Sequence, residues 1–84
     1  MTVDAANFVG LIGSVIFIGA FAYANAAKSF DKVLFNAANL IGAALLLVSL
    51  SVHFNLAAVV LEVAWAIIAL TGLIAALRAR ASQP

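Results

Sequence analysis

The sequence predicts an all-α membrane protein of three transmembrane helices, with its N-terminus outside and its C-terminus cytoplasmic. Three observations predict it. Hydrophobic residues are 68% of the 84-residue chain and charged residues 8%, against roughly 45–50% and about 25% in ordinary soluble domains. The mean hydropathy is +1.27, more apolar surface than so short a chain can hide from water. The few charges also divide the chain into uncharged runs of membrane-crossing length.

The first run extends from Ala5 to Ala27, just after Asp4. As helix it covers about 34 Å and crosses a ~30 Å hydrocarbon core. Lys28-Ser29-Phe30-Asp31-Lys32 follows as a polar turn. The run from Val33 to Leu61 would be about 43 Å as one helix, too long for one comfortable span. Ser51-Val52-His53-Phe54-Asn55 supplies the break. The expected spans are therefore 5–27, 33–52 and 56–77 within a single domain, 1–84. Arg78 and Arg80 close the third, and Ala81 to Pro84 form a short tail. Backbone in lipid must satisfy its own hydrogen bonds, so each span should be helical. Asp4, Asp31 (or Ser29) and Asn55 stand just before the runs, where a short acceptor can cap free N–H groups. The single proline is Pro84, so no proline kink is expected.

Charge sets the orientation. With three spans, the first turn and the C-terminal tail share a side, and together they hold all four basic residues, Lys28, Lys32, Arg78 and Arg80. By the positive-inside rule that side is the cytoplasm. The expected location is the inner membrane, as a multi-pass protein. Ala22-Tyr23-Ala24-Asn25-Ala26 faintly resembles a signal-peptidase site. Its upstream region carries no Lys or Arg and the apolar stretch exceeds the usual 7–15 residues, so a retained span is expected.

Polar residues inside spans are the functional candidates, because an unpaired charge there costs several kcal/mol. Glu62 is the one acidic residue within a span. It either snorkels to the outer headgroups, some 9 Å of helix rise away near Leu56, or lines a bundle cavity. Asn36 and Asn39, spaced i, i+3, share a face of span two with Gly42, and bond another helix or line a polar path. Trp65 falls near mid-span, away from the interfacial belt that tryptophan prefers. Its indole N–H needs an acceptor, which points the ring inward. Glu62, Trp65, Ala69, Gly72 and Ala76 make one stripe down span three. Asn7, Gly10 and Ser14 make another in span one, with Gly13 and Gly19 beside it. Small faces of this kind let helix backbones approach closely. Tyr23 reads as an interfacial anchor, and His53 as a solvated loop residue.

Enzyme chemistry is not expected. The sequence has no Ser/His/Asp set with shared burial, no metal-ligand cluster and no glycine-rich phosphate loop. Without cysteine it has neither disulfides nor a thiol nucleophile. No cofactor or metal is implied, and a net charge of +1 gives no nucleic-acid footprint.

Three segments carry a resemblance: Gly10-Leu11-Ile12-Gly13 in span one, Asn39-Leu40-Ile41-Gly42 in span two, and Glu62-Val63-Ala64-Trp65-Ala66-Ile67-Ile68-Ala69-Leu70-Thr71-Gly72 in span three. The chain resembles the CBU-type family of small three-helix bacterial inner-membrane proteins, permease-like and without an established activity. The resemblance marks Asn39, Glu62 and Trp65 as candidate positions. More distantly, the length and three-span layout resemble SemiSWEET and PQ-loop transporters. Those carry a Pro-Gln pair in the first span. This chain has none, so their sugar path is not carried over.

Three roles compete. The first is a homo-oligomeric half-transporter, favoured as a dimer, whose path for a small solute is lined by Asn36, Asn39, Glu62 and Trp65. Gly10, Ser14, Gly42, Ala69, Gly72 and Ala76 would pack its helices. The second is a non-catalytic subunit or assembly module docked in a larger membrane complex. The third is a holin-like pore-former, for which the tail is short and weakly charged.

Overall fold

The computed structural model describes residues 1–82, so Gln83 and Pro84 of the expected tail lie outside the described residues. It is all-helical: α1 Val3–Ala26, α2 Lys32–Leu50 and α3 Leu56–Ala81. All three helices are long and apolar enough to cross a membrane. The long dimension of 49 Å exceeds a typical hydrocarbon core with its headgroup layers, about 40–45 Å.

Two caps follow the sequence reading and one does not. Asp31 caps α2, its Oδ1 accepting from the N–H groups of Val33 at 2.9 Å and Leu34 at 3.2 Å. Asn55 caps α3 by accepting from Ala58 N–H at 3.1 Å. At α1 the cap is Thr2, whose Oγ1 accepts from Ala5 N–H at 3.0 Å. Asp4 lies inside the first turn, where its charge faces the positive end of the helix dipole. The third helix also runs past Leu77 to Ala81. Arg78 and Arg80 therefore occupy its last turn, where cations are favoured.

In cross-section α2 packs against both of the other helices, while α1 and α3 meet through side chains rather than backbone. Close Cα approaches occur for α1 with α2 and for α2 with α3, and none within 8 Å joins α1 to α3. On α1 the buried residues are Ala6, Gly13 and Ala20, one every seven positions, the interval of a straight packing seam. At Gly13 an added Cβ would lie 3.0 Å from the Gly42 carbonyl oxygen and 3.1 Å from Leu45 Cβ. The two backbones thus touch where both lack side chains. Gly10 meets Ser49 in the same way, with Oγ 2.7 Å from an added Cβ. Small residues are the means by which membrane helices gain dispersion contacts, since lipid offers them no hydrophobic drive.

The phase of the α1 stripe differs from expectation. Gly13 is the centre of contact, while Asn7 and Gly19 are exposed. Ser14 is half-buried and donates its hydroxyl proton to the Gly10 carbonyl at 2.9 Å, which satisfies it within its own helix. On α3 the one buried residue is Ala69, and Ile67 and Ile68 lie outward. Such surface is at home in a hydrocarbon solvent.

Candidate functional site

The candidate polar residues converge, and they fall into two groups. Asn39 is 3% exposed and acts as a double clasp. Its Nδ2 donates to the Phe35 carbonyl at 2.8 Å, and its Oδ1 accepts from Trp65 Nε1 at 3.1 Å. The indole finds the acceptor that burial demands, and the bond ties α2 to α3. Asn36 donates to the Lys32 carbonyl at 2.8 Å and turns its Oδ1 to Gly72, 2.5 Å from where a Cβ would stand. Gly72 gives the amide room. Phe35, Asn36, Asn39, Trp65, Ile68 and Ala69 leave only a small recess between them, about 50 Å³. Asn36, Asn39, Ala69 and Gly72 thus make the α2–α3 seam.

Glu62 stands apart from that seam. With Phe17, Phe21, Leu61 and Trp65 it lines a cleft of about 200 Å³ where α1 faces α3. Its side chain is half-buried, and its Oε2 is buried with no hydrogen-bond partner among the described residues. Trp65 belongs to both places: its N–H anchors in the seam and its ring forms a wall of the cleft.

Phe17 and Phe21 went unnoticed in the sequence. The Trp65 ring packs against Phe17 with centroids 6.2 Å apart at 77°, and against Phe21 at 5.7 Å and 56°. These rings bridge α1 and α3 where the backbones stay apart. The series continues from Phe21 to Phe35 at 6.0 Å, to Phe30 at 5.2 Å and to Tyr23 at 6.1 Å. The signal available was the spacing of Phe17 and Phe21, i and i+4 on α1, with Phe17 four positions after Gly13. Phe17 also rests on Gly42, its Cδ1 3.1 Å from where a Cβ would stand.

At the other end of the molecule, Asp31 links all three helices. Its backbone N–H donates to the Tyr23 hydroxyl at 2.8 Å, and Arg80 Nη2 donates to its Oδ1 at 2.9 Å. The Leu34 N–H holds the carboxyl below its ordinary value, aided by the Arg80 guanidinium and the Val33 N–H and opposed by desolvation. Both partners are about half exposed, so the pair is screened. Ala76 lines the shallow basin beside it with Lys32. His53 is exposed in the opposite turn. No group of three or more metal-binding side chains occurs among the described residues.

Fold and site together define a small membrane protein, three spanning-length helices with a carboxylate-bearing aromatic cleft between α1 and α3. A family model matches residues 6–80, and the chain belongs to that family, the CBU-type family of small three-helix membrane proteins. No curated protein and no solved structure matches the chain.

Proposed function

We propose that the chain is half of a transporter: two copies side by side in the inner membrane complete a path for a small solute, with Glu62 on its wall. The observation that carries this reading is the buried, unpartnered Oε2 of Glu62 in the cleft between α1 and α3. A carboxylate at membrane depth is expensive and is kept where it meets a solute, an ion or a partner. Three helices of this size cannot surround a path alone, whereas two copies about an axis along the membrane normal do so in known transporters. Trp65 would share the wall, and Asn36 and Asn39 would hold α3 in place. No catalytic step is assigned to the chain. A second reading, a docking subunit of a larger complex, is favoured by α3, of which Ala69 alone is buried.

Purification in mild detergent with mass measurement separates the two. A homodimer supports the half-transporter, a larger co-purifying assembly supports the subunit, and lysis on induction points to a pore-former. Solute uptake into vesicles that Glu62→Gln abolishes at unchanged oligomeric mass would complete the case. A monomer that passes no solute would end it.

The proposed orientation places the Lys28, Lys32, Arg78 and Arg80 end in the cytoplasm. The bond between Asp31 and Arg80, which holds the first turn beside the end of α3, supports counting these charges together. Cysteines at Thr2 and Phe54 should react with an impermeant thiol reagent in intact cells, and one at Ser82 should not. The opposite labelling pattern would reverse the orientation.

A further inference from the structure

We propose that the cleft between α1 and α3 binds a small organic cation, an amine or quaternary ammonium, with Glu62 as counter-charge and Phe17, Phe21 and Trp65 as its cage. The inference rests on the half-transporter reading for its setting and names the class of solute.

Each feature of the cleft selects against other ligands. A carboxylate oxygen buried without a partner demands a cation or a proton donor and repels anions. A hard metal ion needs six or more oxygen ligands, or keeps much of its water, and the cleft lining of Phe17, Phe21, Leu61 and Trp65 adds none. A sugar needs many donors and acceptors, yet the nearest ones, the Trp65 N–H and the Asn39 amide, already bond each other.

The walls themselves suit an ammonium group. Phe17 and Phe21 meet Trp65 at 77° and 56°, so the rings present differently oriented walls rather than a stack. Aromatic faces carry negative potential and attract a desolvated cation, and such cages recognise quaternary ammonium groups. The rings are held in place independently of any ligand. Trp65 is fixed by its bond to Asn39, and Phe17 is seated on Gly42. At about 200 Å³ the cleft has room for a compact ammonium head group, and is smaller than the ~300 Å³ of usual drug-sized pockets.

Trp65 is the only tryptophan and reports from inside the site. The full chain in choline-free detergent is titrated with choline and, separately, with its uncharged tert-butyl analogue at matched sodium chloride. Trp65 emission should change saturably with choline. The uncharged analogue should bind at least about tenfold more weakly, as should choline to Glu62→Gln. Phe21→Leu, at unchanged helix content, should lose about three- to tenfold. No saturable response to choline, an equal response to the analogue, or undiminished affinity in a folded Glu62→Gln would each overturn the proposal. The comparison of choline with its analogue needs only the unaltered protein. Vesicles of phosphatidylglycerol, with and without phosphatidylethanolamine, separate two sources of the same chemistry. A lipid ammonium ligand suppresses the choline response only where phosphatidylethanolamine is present, and a free solute leaves it equal in both. Ammonium binding by a protein that neither dimerises nor transports would retract the half-transporter and leave the cation site standing. Uptake of another solute without ammonium binding would do the reverse.

Discussion

The two seams of the bundle are made of different materials. Between α1 and α2 the contact is backbone on backbone, Gly13 against Gly42. Among the described residues a side-chain hydrogen bond joins them only at the end of the seam, from the N–H of the α2 cap Asp31 to the Tyr23 hydroxyl. Between α2 and α3 it is directional: an indole N–H on an amide oxygen at 3.1 Å and an amide held against Gly72. Around Gly13 the first seam relies on shape, so it tolerates no added atoms there. The second relies on a few oriented groups, whose ends can rotate aside. Because Trp65 belongs to the second seam, the same oriented bond also holds one wall of the α1–α3 cleft in place.

The largest expected effect tests the rigid seam. Gly13→Val should cost about 2–3 kcal/mol of bundle stability, because its Cβ meets a carbonyl oxygen and the base of Leu45. Gly72→Val should cost only about 1 kcal/mol, although its nearest neighbour is closer, because that neighbour is the swinging end of Asn36. Gly19→Val is the control, with nothing within 4 Å of its added Cβ. Thermal unfolding in detergent checks all three, and an inverted ranking of Gly13 and Gly72 would dissolve the distinction between the seams.

Asn39→Leu removes the clasp and should cost about 0.6 kcal/mol, or up to ~1.7, the range measured for hydrogen bonds between membrane helices. Trp65 emission should shift as its N–H loses its acceptor. An unchanged spectrum would mean that the aromatic packing, not the amide, holds the ring.

The smallest effect belongs to Asp31. Its carboxyl is held below the usual value in the folded protein. The stabilisation is therefore present above its unfolded value of about 3.9 and is lost as pH falls through the lowered folded value. Wild type and Asp31→Asn should differ slightly in melting temperature at pH 7 and converge in strong acid. A difference that grows on acidification would contradict this sign.

How much of this was legible in the sequence depends on the solvent. The helices were readable because lipid tolerates so few charges that Asp4 and Lys28 to Lys32 bound the first span and Arg78 and Arg80 lie in the last turn of the third, while the polar Ser51 to Asn55 marks the remaining break. Trp65 and Asn39 were each readable as groups that need a partner, but only the fold showed that they answer each other. Phe17 and Phe21 were readable only as an i, i+4 pair, with nothing to say which way it faced. In water an inward phenylalanine is betrayed by polar neighbours on the opposite face, whereas here both faces of α1 are apolar and the period vanishes. The same loss of contrast shifted the small-residue stripe of α1 from Gly13 to the Gly10–Ser14 pair.

The order in which the helix backbones meet has a consequence for synthesis. Each helix packs against its neighbour in sequence, so α1 and α2 can dock as a hairpin before α3 is made. The third helix then adds to α2, and its Trp65 closes against Phe17 and Phe21 of α1. Local pairing of this kind keeps contact order low and assembly fast. Among the side-chain bonds of the described residues, the longest in sequence joins Arg80 to Asp31 across 49 positions. It can form only when the final turn has emerged, which makes it the closing stitch of the bundle.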